Sequence, residues 1–185
     1  MSNQAKLLIL GDSLSAGYGL VPQSGWVALL EQRIKDQGLA VSVENRSVSG
    51  STTADGLSKL PNLLTTLHPR WLILALGSND GLRGYAIQDM KNNLQNMIDL
   101  AQKQKTQVIL IGFAMPPNYG SDFSEAFKAV FAKLADENQL PFVPFLLEGA
   151  TNGRYRQPDN LHPNEDAQPI ILDNVWSVLE PHLKH

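Results

Sequence analysis

With 185 residues, 43% of them hydrophobic and 18% charged, the chain is long enough for one domain, 1–185, with a sizeable core, and too apolar for disorder. A net charge of −3 without any Lys/Arg cluster argues against a nucleic-acid partner, and no apolar run approaches the roughly 20 residues of a transmembrane helix. The lack of cysteine excludes disulfides, thiolate metal ligands and cysteine nucleophiles.

The opening, "MSNQAKLLIL", has neither the basic stretch nor the long apolar stretch of a signal peptide, so the protein is expected to be cytoplasmic or to have lost a leader. A first strand is predicted at Lys6–Leu10 and stops at Gly11-Asp12-Ser13. "SGWVALLEQRIKDQG" has the spacing of an amphipathic helix, with Ser24 as cap and Gly38 as stop. A second strand, Ala40–Glu44, leads into "NRSVSGST". The third and fourth, Trp71–Leu76 and Gln107–Phe113, contain the continuous apolar runs "WLILAL" and "VILIGF" of strands covered on both faces. A helix in "AIQDMKNNLQNMIDLAQKQ" separates them. After "AMPPNYGSDF" come a helix in "SEAFKAVFAKLADENQ", a short fifth strand at Phe142–Pro144, the segment "DNLHP" and a closing helix in "PIILDNVWSVLEPHL". This alternation predicts an α/β fold, a three-layer α/β/α sandwich with a five-stranded parallel sheet, flavodoxin-like in outline.

In such sheets ligands gather at the carboxyl ends of the strands. The segments that follow the strands hold Ser13, Gly50, Asn79, the "PPNYG" loop, and Asp159 with His162, so the reactive side chains share one edge. Of the four histidines, His68 precedes the third strand and belongs to the opposite edge, while His182 and His185 lie at the far end of the last helix. His162 is therefore the candidate base, its bland alternative being a loop histidine before a helix-starting Pro163. Asp159, three residues earlier, can accept from Nδ1–H, fixing the tautomer and aiming Nε2 outward. It can equally make an Asx-turn.

Ser13 becomes a nucleophile only if a base takes its proton; otherwise it is a helix cap. "GDSLS" differs from the α/β-hydrolase elbow, which needs glycine where Ser15 stands, and the phosphate-loop pattern is absent. Three donors suit an oxyanion: the Ser13 backbone N–H, that of Gly50, which no Cβ shields, and the Asn79 side-chain amide. Asn79 alone also reads as a turn residue, and Asp12 reads as structural. Acyl-chain walls are expected from Leu82, Tyr85, Met115, Pro116, Pro117 and Tyr119, although Leu82 and Met115 would serve equally as packing.

The blocks "ILGDSLSAGYG", "SVSGSTTADGL", "ALGSNDGLRG" and "DNLHPNEDAQP" resemble, in order, the four blocks of the SGNH (GDSL) hydrolase family, its Ser, Gly, Asn and His falling on Ser13, Gly50, Asn79 and His162. "KLPNLLTTLHPRW" and "PPNYG" are similar to the bacterial acyl-CoA thioesterase I/lysophospholipase/arylesterase subgroup. The resemblance implies a serine hydrolase that cleaves small-molecule carboxylic esters, with thioesters beside them, through a Ser-His-Asp triad and an acyl-enzyme, without metal or organic cofactor. It also implies a periplasmic or secreted protein whose leader is absent from this chain, with a cytoplasmic location left open. Two alternatives stand beside it: a carbohydrate or small-molecule O-acetylesterase using the same residues, and a flavodoxin-like phosphate- or nucleotide-binding module. Nothing in the sequence sets an oligomeric state.

Overall fold

The computed structural model describes residues 3–184, so His185 lies outside the described residues. Five strands, β1 (Ala5–Gly11), β2 (Val41–Asn45), β3 (Trp71–Ala75), β4 (Gln107–Ile111) and β5 (Phe142–Val143), form one parallel sheet in the order β2-β1-β3-β4-β5. Each expected strand is present, with ends within two residues of those read from the sequence. Leu7 of β1 lies opposite Val43 of β2 and Trp71 of β3, which sets the register at the sheet centre. Leu7, Leu8, Ile9 and Leu10 are all buried, which is why that run carries no polar alternation.

The helices are α1 (Ser13–Ala16), α2 (Trp26–Asp36), α3 (Thr53–Leu67), α4 (Ser78–Leu82), α5 (Ile87–Lys103), α6 (Ser121–Glu137) and α7 (Gln168–Leu183). The chain steps from β1 to β2 in one direction and reaches β3, β4 and β5 in the other. Right-handed crossovers therefore put α2 on one face and α3, α5 and α6 on the other. The packing agrees: α2 lies against α7, α3 against α5, and α5 against α6. Winding reverses at β1, so a crevice opens between the carboxyl ends of β1 and β3.

Three local expectations need correction. Ser24 does not cap α2; Gly25 holds that position, and the Ser24 hydroxyl donates to Val21 O at 2.6 Å. The helix still ends just before Gly38. Pro163 does not start the last helix: it pairs with Arg156 in an isolated bridge, and α7 begins at Gln168. The third is helix α3, which is not among the helices read from the sequence; Pro61 removes a backbone donor in its interior. Burial of Leu60 and Leu64 and a Thr52–Asp55 capping box hold it nonetheless.

Candidate active site

At the end of β1 the chain turns into α1 under a cap. Asp12 Oδ1 accepts from the Leu14 N–H at 3.0 Å, which leaves Ser13 as the first residue of a single helical turn above the end of β1. Asp12 itself is buried. Burial pushes its carboxyl up to about 6, against the opposing pull of the Leu14 hydrogen bond.

Ser13 Oγ lies 3.0 Å from His162 Nε2. Across the ring, Nδ1 lies 2.5 Å from Asp159 Oδ2. An ionised carboxyl can only accept, so Nδ1 carries the proton and Nε2 is left to accept from the serine hydroxyl. The other oxygen of Asp159 accepts from the backbone N–H of Leu161 at 2.9 Å and of His162 at 3.0 Å. One carboxyl group thus shapes the turn with one oxygen and meets the imidazole with the other. The imidazole hydrogen bond, followed by the two backbone ones, holds this carboxyl down at about 2.

The loops after β2 and β3 meet the same place. Asn79, near the start of α4, donates from Nδ2 to Ser51 O at 3.0 Å and faces Asp12 Oδ2 at 3.5 Å. Gly50 has φ +82°, a conformation that side-chain-bearing residues adopt at a cost, and its carbonyl accepts from Arg83 Nη2 at 2.9 Å. A hydrogen bond therefore joins Asn79 to Ser51, with Asp12 only facing the same amide at 3.5 Å, while Asp159 and His162 are joined to each other and His162 to Ser13.

The expected acyl-wall residues divide. Leu82 is half-buried, and its carbonyl accepts from the Tyr119 hydroxyl at 3.1 Å; Tyr119 in turn stacks on Phe123. Tyr85 and Pro117 are exposed and Pro116 is half-buried. Met115 is buried in the core, its sulfur so close to Gly81 that a Cβ there would lie 2.7 Å away. His68 caps the end of α3 and His182 Nδ1 lies 2.9 Å from Gln107 Nε2 at the start of β4, both remote from Ser13.

Three neighbours were not expected. Tyr18 packs on the imidazole of His162, Gln157 bonds the backbone around both, and Arg83 reaches Gly50. The signal for Tyr18 was an aromatic residue between two glycines just beyond the serine; Gln157 and Arg83 carried none. Among the described residues no group of three or more His, Asp or Glu is placed to hold a metal ion, and no helix is long and apolar enough to cross a membrane.

A model of the GDSL-like lipase/acylhydrolase family matches residues 9–168. Esterase TesA of Pseudomonas aeruginosa is 44% identical over 95% of this chain and 88% of its own length. Thioesterase 1/protease 1/lysophospholipase L1 of Escherichia coli K12 is 41% identical over 97% of this chain and 85% of its own. The crystal structure of esterase EstA from Pseudoalteromonas sp., inhibited by monoethylphosphonate, matches with a TM-score of 0.91 at 33% identity, over 97% of this chain and 99% of that one.

Proposed function

The chain belongs to the GDSL-like lipase/acylhydrolase family and is a serine ester hydrolase, and we propose that it works by a two-step acyl transfer on Ser13, His162 and Asp159. His162 Nε2 takes the Ser13 proton as Oγ attacks the ester carbonyl carbon. The Ser13 and Gly50 backbone N–H groups and the Asn79 amide hold the oxyanion. One Asn79 N–H is engaged by Ser51 O; the second faces Asp12 at a distance too long to hold it strongly and is the donor left for substrate. Collapse of the tetrahedral intermediate breaks the bond to the alcohol or thiol, which leaves with the proton from His162. Water, deprotonated by the same nitrogen, then releases the acid and restores Ser13. Asp159 stabilises the imidazolium in both steps without accepting its proton.

The observation that carries this reading is the unbroken series Ser13 Oγ, His162 Nε2, His162 Nδ1, Asp159 Oδ2, with contacts of 3.0 and 2.5 Å. The substrates are small acyl esters, with thioesters beside them in view of the relatives named esterase and thioesterase. A periplasmic or secreted location rests on the resemblance alone, and fractionation of expressing cells tests it. The deciding assay is hydrolysis of p-nitrophenyl esters from acetate to dodecanoate by wild type and Ser13→Ala. Turnover by wild type and silence in the folded variant are expected; full activity in Ser13→Ala would overturn the mechanism. A profile confined to acetate would select the O-acetylesterase reading.

A further inference from the structure

We propose that Tyr18 forms the leaving-group side of the cleft, a flat aromatic platform beside His162 that favours esters of aromatic alcohols. The proposal rests on the reading of His162 as the group that protonates the leaving oxygen. That oxygen must come to the Nε2 edge of the imidazole, so the rest of the leaving group lies over whatever borders the ring. Tyr18 borders it: the two ring centroids are 4.6 Å apart with the planes tilted by 43°. Yet Tyr18 is 52% exposed, so it packs on the base and still presents aromatic surface to an incoming group.

The platform is held in register with the base. Gln157 Nε2 donates to Tyr18 O at 2.8 Å and to Pro163 O at 2.9 Å, while the Gln157 N–H donates to His162 O at 2.7 Å. One residue thus ties the backbone of both partners. The seating is close: at Gly19 a Cβ would lie 2.1 Å from Gln157 Oε1, and φ there is +72°. The candidate acyl walls, Leu82 and Tyr119, come from the segments that follow β3 and β4, Leu82 at the end of α4 and Tyr119 in the short turn before α6. Tyr18 follows α1, so the acyl and alcohol halves of the substrate meet different elements of the fold.

The test compares phenyl butyrate with hexafluoroisopropyl butyrate, whose leaving groups are of comparable acidity, one flat and aromatic and the other compact and aliphatic. Tyr18→Ala lowers the phenyl-to-hexafluoroisopropyl ratio of kcat/KM about five-fold, within the worth of an aromatic pair, and Tyr18→Phe retains the ratio. Phenol, used as a competitive inhibitor of hexafluoroisopropyl butyrate hydrolysis, weakens by a similar factor of about five in Tyr18→Ala. If Tyr18→Ala fails to fold, Tyr18→Leu, which keeps apolar bulk without a π face, gives the same two shifts. An equal fall on both esters with unchanged phenol inhibition overturns the proposal, leaving Tyr18 only as a prop for the imidazole. His162→Ala tests the underlying reading separately: turnover retained on both esters would overturn the base assignment irrespective of the Tyr18 ratios.

Discussion

Asp80 accepts two hydrogen bonds from Thr53, from its backbone N–H at 2.8 Å and from its hydroxyl at 2.6 Å, and both residues are buried. Asn93 Nδ2 adds a third bond, to Thr53 Oγ1 at 3.1 Å. Asp80 is the neighbour of Asn79, and Thr53 opens the helix that follows Gly50 and Ser51. The pair therefore fastens together the two loops that carry the candidate oxyanion donors.

Removing Asp80 strands two buried donors on Thr53, each costing about 1–3 kcal/mol. Asp80→Ala should thus lose roughly 3 kcal/mol of stability, and Thr53→Val about 1–2 kcal/mol. Below the melting range, Thr53→Val should lower kcat more than it raises KM, because the donors act on the oxyanion rather than on ground-state ester. Urea melts and steady-state kinetics check both; unchanged kcat in Thr53→Val would show that the clamp has no bearing on the donors.

Asp159→Asn should retain the fold and lose about 10⁴-fold in kcat, because an amide can present its NH₂ to Nδ1 and stabilise the wrong tautomer. Asn79→Ala should lose about 10²–10³-fold, the worth of one oxyanion donor. The two losses are measured on p-nitrophenyl butyrate. A loss below ten-fold in Asp159→Asn would remove Asp159 from the catalytic group.

Asp12 gives stability a pH dependence of definite sign. Its carboxyl sits at about 6 in the folded protein, above its ordinary value of 3.8, because burial disfavours the charge. Between these values the unfolded chain has released the proton and the folded chain keeps it. The stabilisation is therefore complete below about pH 4, declines as pH rises towards 6, and is absent above. At roughly 1.4 kcal/mol per pKa unit, wild type should lose on the order of 3 kcal/mol relative to Asp12→Asn across that window. Melts of both proteins at pH 4, 5, 6 and 7 check it; parallel curves would mean that the carboxyl does not titrate there.

Leu82 and Met115, alike as candidate acyl walls, should behave differently. Leu82 is half-buried at the end of α4, its carbonyl tied to Tyr119, so Leu82→Ala should penalise decanoate more than acetate, by about the 0.8 kcal/mol that each methylene contact is worth. Met115 is buried against Gly81, so Met115→Ala should cost about 2–5 kcal/mol of stability as a core truncation. Chain-length profiles and melts of the two variants separate the roles. Equal loss on every ester in Leu82→Ala would take that residue out of the acyl pocket.

Much of this was legible without coordinates. Strands covered on both faces have to be uninterrupted apolar runs, so "WLILAL" and "VILIGF" declare themselves. Parallel winding then brings the ends of all strands to one edge, and that alone grouped Ser13, Gly50, Asn79, Asp159 and His162 while setting His68 and His182 apart. Helix α3 stayed hidden because Pro61 opposes a local propensity that burial of Leu60 and Leu64 overrides.

The layers, the strand positions and the edge on which the reactive side chains lie follow from periodicity and chain direction, so residue order alone carries them. Which of those side chains touch is settled by the folded chain. Asp80 and Thr53 are 27 residues apart, Gln157 and Tyr18 139, Ser13 and His162 149. Contacts at about 3 Å across such separations depend on strand register and loop path, which no local pattern encodes.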